Sequence, residues 1–341
     1  MKKRRTELSC LNLLLCLLVI FIHASSEPVG RLLRDSWQYF VVMVPWRLAA
    51  FVVQGFFFLS GVKLCLGAKE PFDTLAFYRR RLRTVVLPYL AAVFLYYCWF
   101  VRIGYFPFSL GALARYAVVG DLVSPFYFVV TIVQFYLLAP LFLRAAKSGF
   151  PPVLLTGSFA VMMLCWKGLG QGFAYTDRLF TTYLFYLVLG CTAGVHYEAF
   201  CAFLRRRTLP LCALWAVLAA VDIAGFSGRV LGLVPWNEWL HTAYCIAAIL
   251  AWAALCLRLG QRGVPRWVMA MDAVTYPVFL CHSFFIFWLN DKLTAWGVTS
   301  IAVRYVARLA FVYPVSFALC MGGRSLRRRL SAGKRPADGC P

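Results

Sequence analysis

The sequence predicts an all-α fold: a polytopic transmembrane helix bundle of about ten spans, with both termini cytoplasmic. Three observations carry that prediction. Of 341 residues, 62% are hydrophobic and only 14% are charged, whereas soluble domains are nearer half apolar and a quarter charged. The apolar residues gather into runs close to the roughly 20 residues that a helical span requires. The basic residues gather between those runs, on alternate sides.

The runs can be taken in order. Leu8–Ala24 follows the basic segment Lys2–Arg5, and Pro45–Leu66 comes next. Val85–Val101 starts just behind a cluster of arginines, and Leu122–Leu143 follows it. The fifth run, Pro152–Trp166, is the shortest; Phe180–His196, Leu209–Phe226, His241–Leu259, Met271–Asn290 and Ser300–Met321 complete the ten. With the N-terminus inside, 24 of the 35 Lys and Arg fall on inner segments and nine on outer ones. That asymmetry follows the positive-inside rule. Eight of the eleven tryptophans fall at or beyond the outer boundaries, where indole favours the interface. The net charge of +22 therefore reads as topology, and no nucleic-acid partner is expected. The partner that composition does predict is the lipid bilayer, for a multi-pass protein of the cell membrane. Residues 1–323 form the expected transmembrane domain and 324–341 a basic cytoplasmic tail.

Thirteen cysteines invite a disulfide or metal reading. No CxxC pair occurs, and most of the cysteines sit inside apolar runs, where a free thiol behaves as a small hydrophobe. No metal and no tightly bound cofactor is expected. A rival reading of the start takes Lys2–Arg5, the first apolar run and Ala24-Ser25-Ser26 as a cleaved signal peptide, which would remove His23.

Polar groups inside spans mark function, because a charge at mid-bilayer costs roughly 2.5–3.5 kcal/mol on insertion scales. The candidates are His23, Gln54, Gln134, His282, Arg304 and Arg308. At a rise of about 1.5 Å per residue, His23 lies roughly 22 Å and His282 roughly 16 Å above the inner boundary. Arg304 and Arg308 lie about 6 and 12 Å below the outer one by the same rise, and their i, i+4 spacing puts them on one helix face. Histidine can serve as a general base, and arginine can hold an oxyanion or phosphate. No carboxylate pair is expected among them, which disfavours glycosidase chemistry. His196, Asp222 and His241 lie towards span ends, where interface solvation suits them. At the inner face, Arg79, Arg80, Arg81 and Arg83 read either as a positive-inside anchor or as a site for a cytoplasmic polyanion.

Five segments occur in an order that carries a resemblance. They are Asn12 to His23, Phe56-Phe57-Phe58-Leu59-Ser60-Gly61, Arg80-Arg81-Leu82-Arg83 leading to Pro88-Tyr89, Pro125 to Pro140, and Thr275-Tyr276 leading to His282. Together they resemble the acyltransferase-3 family of integral-membrane acyltransferases, over nearly the whole chain, in the stand-alone type without an extra extracytoplasmic domain. Two positions depart from the family pattern. The family commonly has arginine eleven residues before the first-span histidine, where this chain has Asn12. Its usual His-Leu-Trp opening of the fourth span is Pro125-Phe126-Tyr127 here.

The resemblance implies transfer of an acyl group, usually acetyl, from cytoplasmic acyl-CoA as co-substrate to a hydroxyl. The acceptor would be a cell-surface polysaccharide or lipid-linked glycan. It implies His23 as general base, and Arg79, Arg80, Arg81 and Arg83 at the CoA phosphates. His282, Arg304, Arg308 and Gln134 would bind acceptor or stabilise developing charge. The alternative on the same residues is a transporter or flippase of a glycan or lipid intermediate, with the buried arginines as an anion path.

Overall fold

The computed structural model describes residues 5–169, 172–235, 237–261 and 263–332. Among these there are fifteen α-helices and no strand. In order they are α1 (Thr6–Arg31), α2 (Trp37–Leu48), α3 (Val52–Gly67), α4 (Thr74–Arg81), α5 (Leu87–Arg102), α6 (Leu110–Val119), α7 (Tyr127–Leu137) and α8 (Ala139–Ser148). Then come α9 (Pro151–Leu169), α10 (Leu184–Val195), α11 (Tyr197–Val230), α12 (Glu238–Gln261), α13 (Arg266–Asp272), α14 (Thr275–Ala295) and α15 (Ile301–Ala332). Of the expected basic segments, Lys2 to Arg4, Arg262 and residues 333–341 of the tail lie outside the described residues. The described part of the tail continues α15 without a break.

The all-helical membrane bundle is as the sequence predicts. In lipid every backbone group must be satisfied within the segment, so apolar runs of this length become helix. Seven helical stretches are long and apolar enough to cross a membrane, or nine if each of two bent pairs is one crossing. The expected sixth run corresponds to a shorter apolar stretch, Phe180–Val195. Interruptions explain the lower figure. The stretch from α6 into α7 bends by 57°, and α13 into α14 by 70°. Prolines sit at these breaks: Pro125 lies in the 3₁₀ turn before α7 and Pro277 in the first turn of α14, while Pro140 opens α8 in the same way. Proline lacks the N–H that a helix interior needs and is tolerated in a first turn, where that donor has no partner anyway. Gly120 ends α6 with φ of +72°, and a Cβ there would stand 2.9 Å from the Phe126 carbonyl.

The first helix does not stop at Ala24. It runs on through Ser25 and Ser26 to Arg31, with Leu15, Ile20, Ala24 and Ser25 fully buried. It packs against α12, α13, α14 and α15. The most extensive helix contact is between α3 and α10, where glycines let the backbones touch. A Cβ on Gly190 would lie 2.0 Å from the Phe58 carbonyl oxygen, and one on Gly61 would lie 2.2 Å from that of Leu187. Small residues at such crossings are how membrane helices approach closely. Gly190→Val should therefore force the two helices apart, at a cost of about 1–3 kcal/mol or more. The check is melting of the detergent-purified protein, where an unchanged transition would contradict the close crossing.

Candidate active site

The functional side chains assemble from α1, α3, α14 and the turn between α4 and α5. The last of these is a single π-helical turn, Leu82–Val86, directly behind the arginines. Such turns widen a helix locally and recur at functional sites. The arginine cluster faces two ways. Arg79, Arg80 and Arg83 are exposed and line an open hollow of about 370 Å³ together with Asp73 and Thr84. Arg81 turns the other way. Its guanidinium stacks 4.4 Å over the Tyr136 ring and 5.0 Å over that of Phe77, and its buried Nε has no hydrogen-bond partner.

Beyond Arg81 a cavity of about 290 Å³ enters the bundle. Thr84 lines both it and the hollow. Asn12, Lys63, Ser60 and Thr275 supply its polar wall, and Phe56, Phe128, Ile132, Tyr136, Tyr276 and Phe279 its apolar one. The polar wall is tied together. Asn12 Nδ2 donates to Asp272 Oδ1 at 2.7 Å and to Thr275 Oγ1 at 2.8 Å, and Lys63 Nζ donates to Asn12 Oδ1 at 3.0 Å. The Tyr276 hydroxyl donates to the Val85 carbonyl at 2.8 Å, joining α14 to the π-helical turn.

Two turns along α14 from Thr275 stands His282, with no solvent exposure. Its Nδ1–H donates to the Phe279 carbonyl at 2.7 Å. A carbonyl can only accept, so in the neutral ring Nε2 is the free acceptor, 3.3 Å from the Ser283 hydroxyl. The Tyr96 hydroxyl of α5 inserts into the helix ladder beside it, donating to the Leu280 carbonyl at 3.0 Å and accepting from the Phe284 N–H at 2.6 Å. A side chain inserted there sets the local course of the helix. The His23 ring faces His282 with centroids 5.3 Å apart. Among the described residues nothing hydrogen-bonds to His23, and it is only half-buried. One imidazole is anchored by a hydrogen bond to the backbone and the other is not.

Arg304 and Arg308 lie near these histidines in sequence depth, but the protein itself occupies their donors. Arg308 pairs with Glu27 of α1, and its Nε donates to Asn290 Oδ1 at 2.7 Å and its Nη1 to the Ala24 carbonyl at 3.3 Å. Arg304 has Nε 3.4 Å from Glu27, and its Nη1 donates to Thr294 Oγ1 at 3.2 Å and to the Val298 carbonyl at 3.1 Å. This clasp joins α1, α14 and α15 one turn beyond His23. It brings a carboxylate that the predicted span did not include: Glu27 stands four residues after His23, past the end of that span. The i, i+4 spacing from His23 was the signal available for it.

Gln134 faces away from the cavity. Its Nε2 donates to the Arg178 carbonyl at 2.6 Å and its Oε1 accepts from the Phe180 N–H at 3.1 Å, which pins the chain leading into α10. Asp222 and His241 are not solvated at an interface. They are buried with Arg47, whose Nε and Nη2 donate to Asp222 Oδ2 and Oδ1 at 2.7 and 3.0 Å. His241 Nδ1 lies 2.6 Å from Arg47 Nη2 and 3.1 Å from Asp222 Oδ1. The sequence shows three polar residues on separate runs, and only the packing of α2, α11 and α12 brings them together. A larger hollow of about 720 Å³ lies between α1, α11 and α12. On its wall Arg5 pairs with Glu198 at 3.4 Å, and the Tyr197 hydroxyl donates to Glu7 at 2.7 Å.

A family model described as an acyltransferase domain matches residues 5–323. The chain belongs to the acyltransferase-3 family. It is an integral-membrane acyltransferase, moving acyl groups other than aminoacyl ones. No curated protein and no solved structure matches it. The family motifs acquire physical roles here. Phe56 and Ser60 line the cavity while Gly61 makes the helix crossing. Thr275 and Tyr276 line the cavity below His282. Where the family commonly has arginine, Asn12 receives the Lys63 ammonium, so α3 brings a cation to that place.

Proposed function

We propose that this acyltransferase takes an acyl group, acetyl in the first instance, from cytoplasmic acyl-CoA. It passes the group to a hydroxyl of a cell-surface or lipid-linked carbohydrate, in the cell membrane. One observation carries the reading: the exposed arginines open towards a cavity that ends at Phe279, whose ring lies 6.0 Å from His282, and the His282 ring lies 5.3 Å from that of His23. In this reading Arg79, Arg80 and Arg83 hold the CoA phosphates, and Arg81 and Lys63 flank the entry of the thioester arm. Arginine's planar fork suits such phosphates.

The chemistry is a single acyl exchange. The acceptor oxygen attacks the thioester carbonyl carbon, a C–O bond forms and the C–S bond breaks. His23 accepts the hydroxyl proton and returns it to the departing CoA sulfur. His282, held by the Phe279 carbonyl, positions that ring and can bind the acceptor. The Glu27–Arg304–Arg308 clasp carries one net positive charge and stabilises negative charge developing on the carbonyl oxygen through its field. Gln134 supports the fold of the wall.

The donor site is tested by Arg80→Lys and Arg83→Lys together. Lysine keeps the charge but loses the two-pronged hydrogen bond, so acetyl-CoA affinity should fall about tenfold or more, with insertion intact. Unchanged affinity in the inserted variant would return these arginines to a purely topological role.

A further inference from the structure

Resting on the acyl-CoA reading above, we propose that Phe279 is the residue that sets acyl-chain length, by closing the cavity beneath the two histidines with its ring. Phe279 does two separate things at one place. Its carbonyl anchors His282 through the 2.7 Å bond from Nδ1. Its ring lines the cavity and stands 6.0 Å from the His282 ring. The cavity's lining includes Phe279 but neither His282 nor His23. The ring is therefore the partition between the space that receives the donor and the groups that act on it.

The partition is held firmly. The Tyr276 ring stacks on it at 6.3 Å with an interplanar angle of 11°, and the Phe128 ring meets it edge-on at 5.6 Å. Phe128 is backed in turn by Phe56 and Phe57 at 5.7 and 4.9 Å. Phe279 itself is only 6% exposed. A ring packed among rings gives up contacts in every direction it moves. A thioester carbonyl that faces His23 must draw level with this ring. The acyl group then lies beside the ring, in whatever space the ring does not fill. A two-carbon group adds little beyond the carbonyl. Each further methylene must displace packed aromatic atoms, and a single methylene in a tight apolar pocket changes selectivity by about 10–200-fold.

Because the ring and the carbonyl are separable, truncating the side chain enlarges the cavity while leaving the His282 anchor on the backbone. The experiment uses the full chain, purified in detergent, with a membrane extract as the source of acceptor. Release of the CoA thiol is followed from acetyl-CoA and from butyryl-CoA. The wild-type chain should favour acetyl-CoA by about 100-fold or more in kcat/KM. Phe279→Ala should cut that preference by at least about tenfold, through use of butyryl-CoA that rises relative to acetyl-CoA. Phe279→Leu, which keeps most of the apolar volume, should fall between them and serves if the alanine variant does not accumulate. A wild-type chain that uses both thioesters equally overturns the inference. So does an unchanged preference in either folded variant. A wild-type chain silent with both thioesters overturns the donor reading itself, and the inference with it.

Discussion

His23→Ala and His23→Gln should both accumulate in the membrane at the wild-type level, and both should lose acyl transfer by about 10²-fold or more, the usual scale for a general base. The two halves of that result have separate causes. The ring makes no hydrogen bond among the described residues and is half-buried, so its removal orphans no partner. It is also the imidazole left unanchored beside the anchored His282, at 5.3 Å between centroids. Glutamine retains a polar head but cannot take up a proton at neutral pH. Transfer at the wild-type rate in either variant would remove His23 from the chemistry.

Asp222→Ala should have the largest effect on stability, about 3–5 kcal/mol, because it leaves a buried guanidinium without its carboxylate. Arg47 donates twice to Asp222 and is 6% exposed, and Asp222 is 1% exposed. Breaking one partner of a buried pair is far costlier than replacing both with apolar side chains of similar size. Arg47→Met combined with Asp222→Leu should therefore recover most of the loss. Thermal unfolding of the detergent-solubilised proteins reads both arms. A single variant as stable as wild type, or a double variant less stable than the single, would contradict the buried-pair account. No loss of chemistry is expected in the double variant, since these residues lie outside the line from the arginines to His23.

The helical bundle was legible in the sequence because the bilayer imposes one solution on long apolar runs. Each of the ten runs is mainly helical, with turns inside Pro45–Leu66, Leu122–Leu143 and Met271–Asn290. The breaks within them were less visible, since a proline in a first turn and one inside a helix look alike until the neighbouring residues are placed. Pro140 and Pro277 open new helices, whereas Pro210 and Pro314 lie inside α11 and α15. The site was legible in part for the same reason. Depth alone puts His23 and His282 at comparable heights on two helices, and they do meet. Depth also puts Arg304 and Arg308 nearby, but it cannot say that Glu27 occupies them. Glu27 lies beyond the predicted end of the first span, and helix continues there to Arg31. Lys63 lies near the inner end of the second run. Its link to Asn12 joins residues 51 positions apart in the chain, which no local spacing encodes. Asp222, His241 and Arg47 were unreadable for the same reason, because three separate helices must pack before the charges become one buried cluster.

The most direct test of the account is made with the purified chain, acetyl-CoA labelled in its acetyl group, and a membrane fraction containing glycans and lipid-linked glycans. The account predicts that wild-type protein releases CoA thiol and places label on a carbohydrate hydroxyl. His23→Ala should lower both by about 10²-fold, while still binding acetyl-CoA. Carbohydrate that crosses vesicles containing the protein, with acetyl-CoA left intact, would contradict the account.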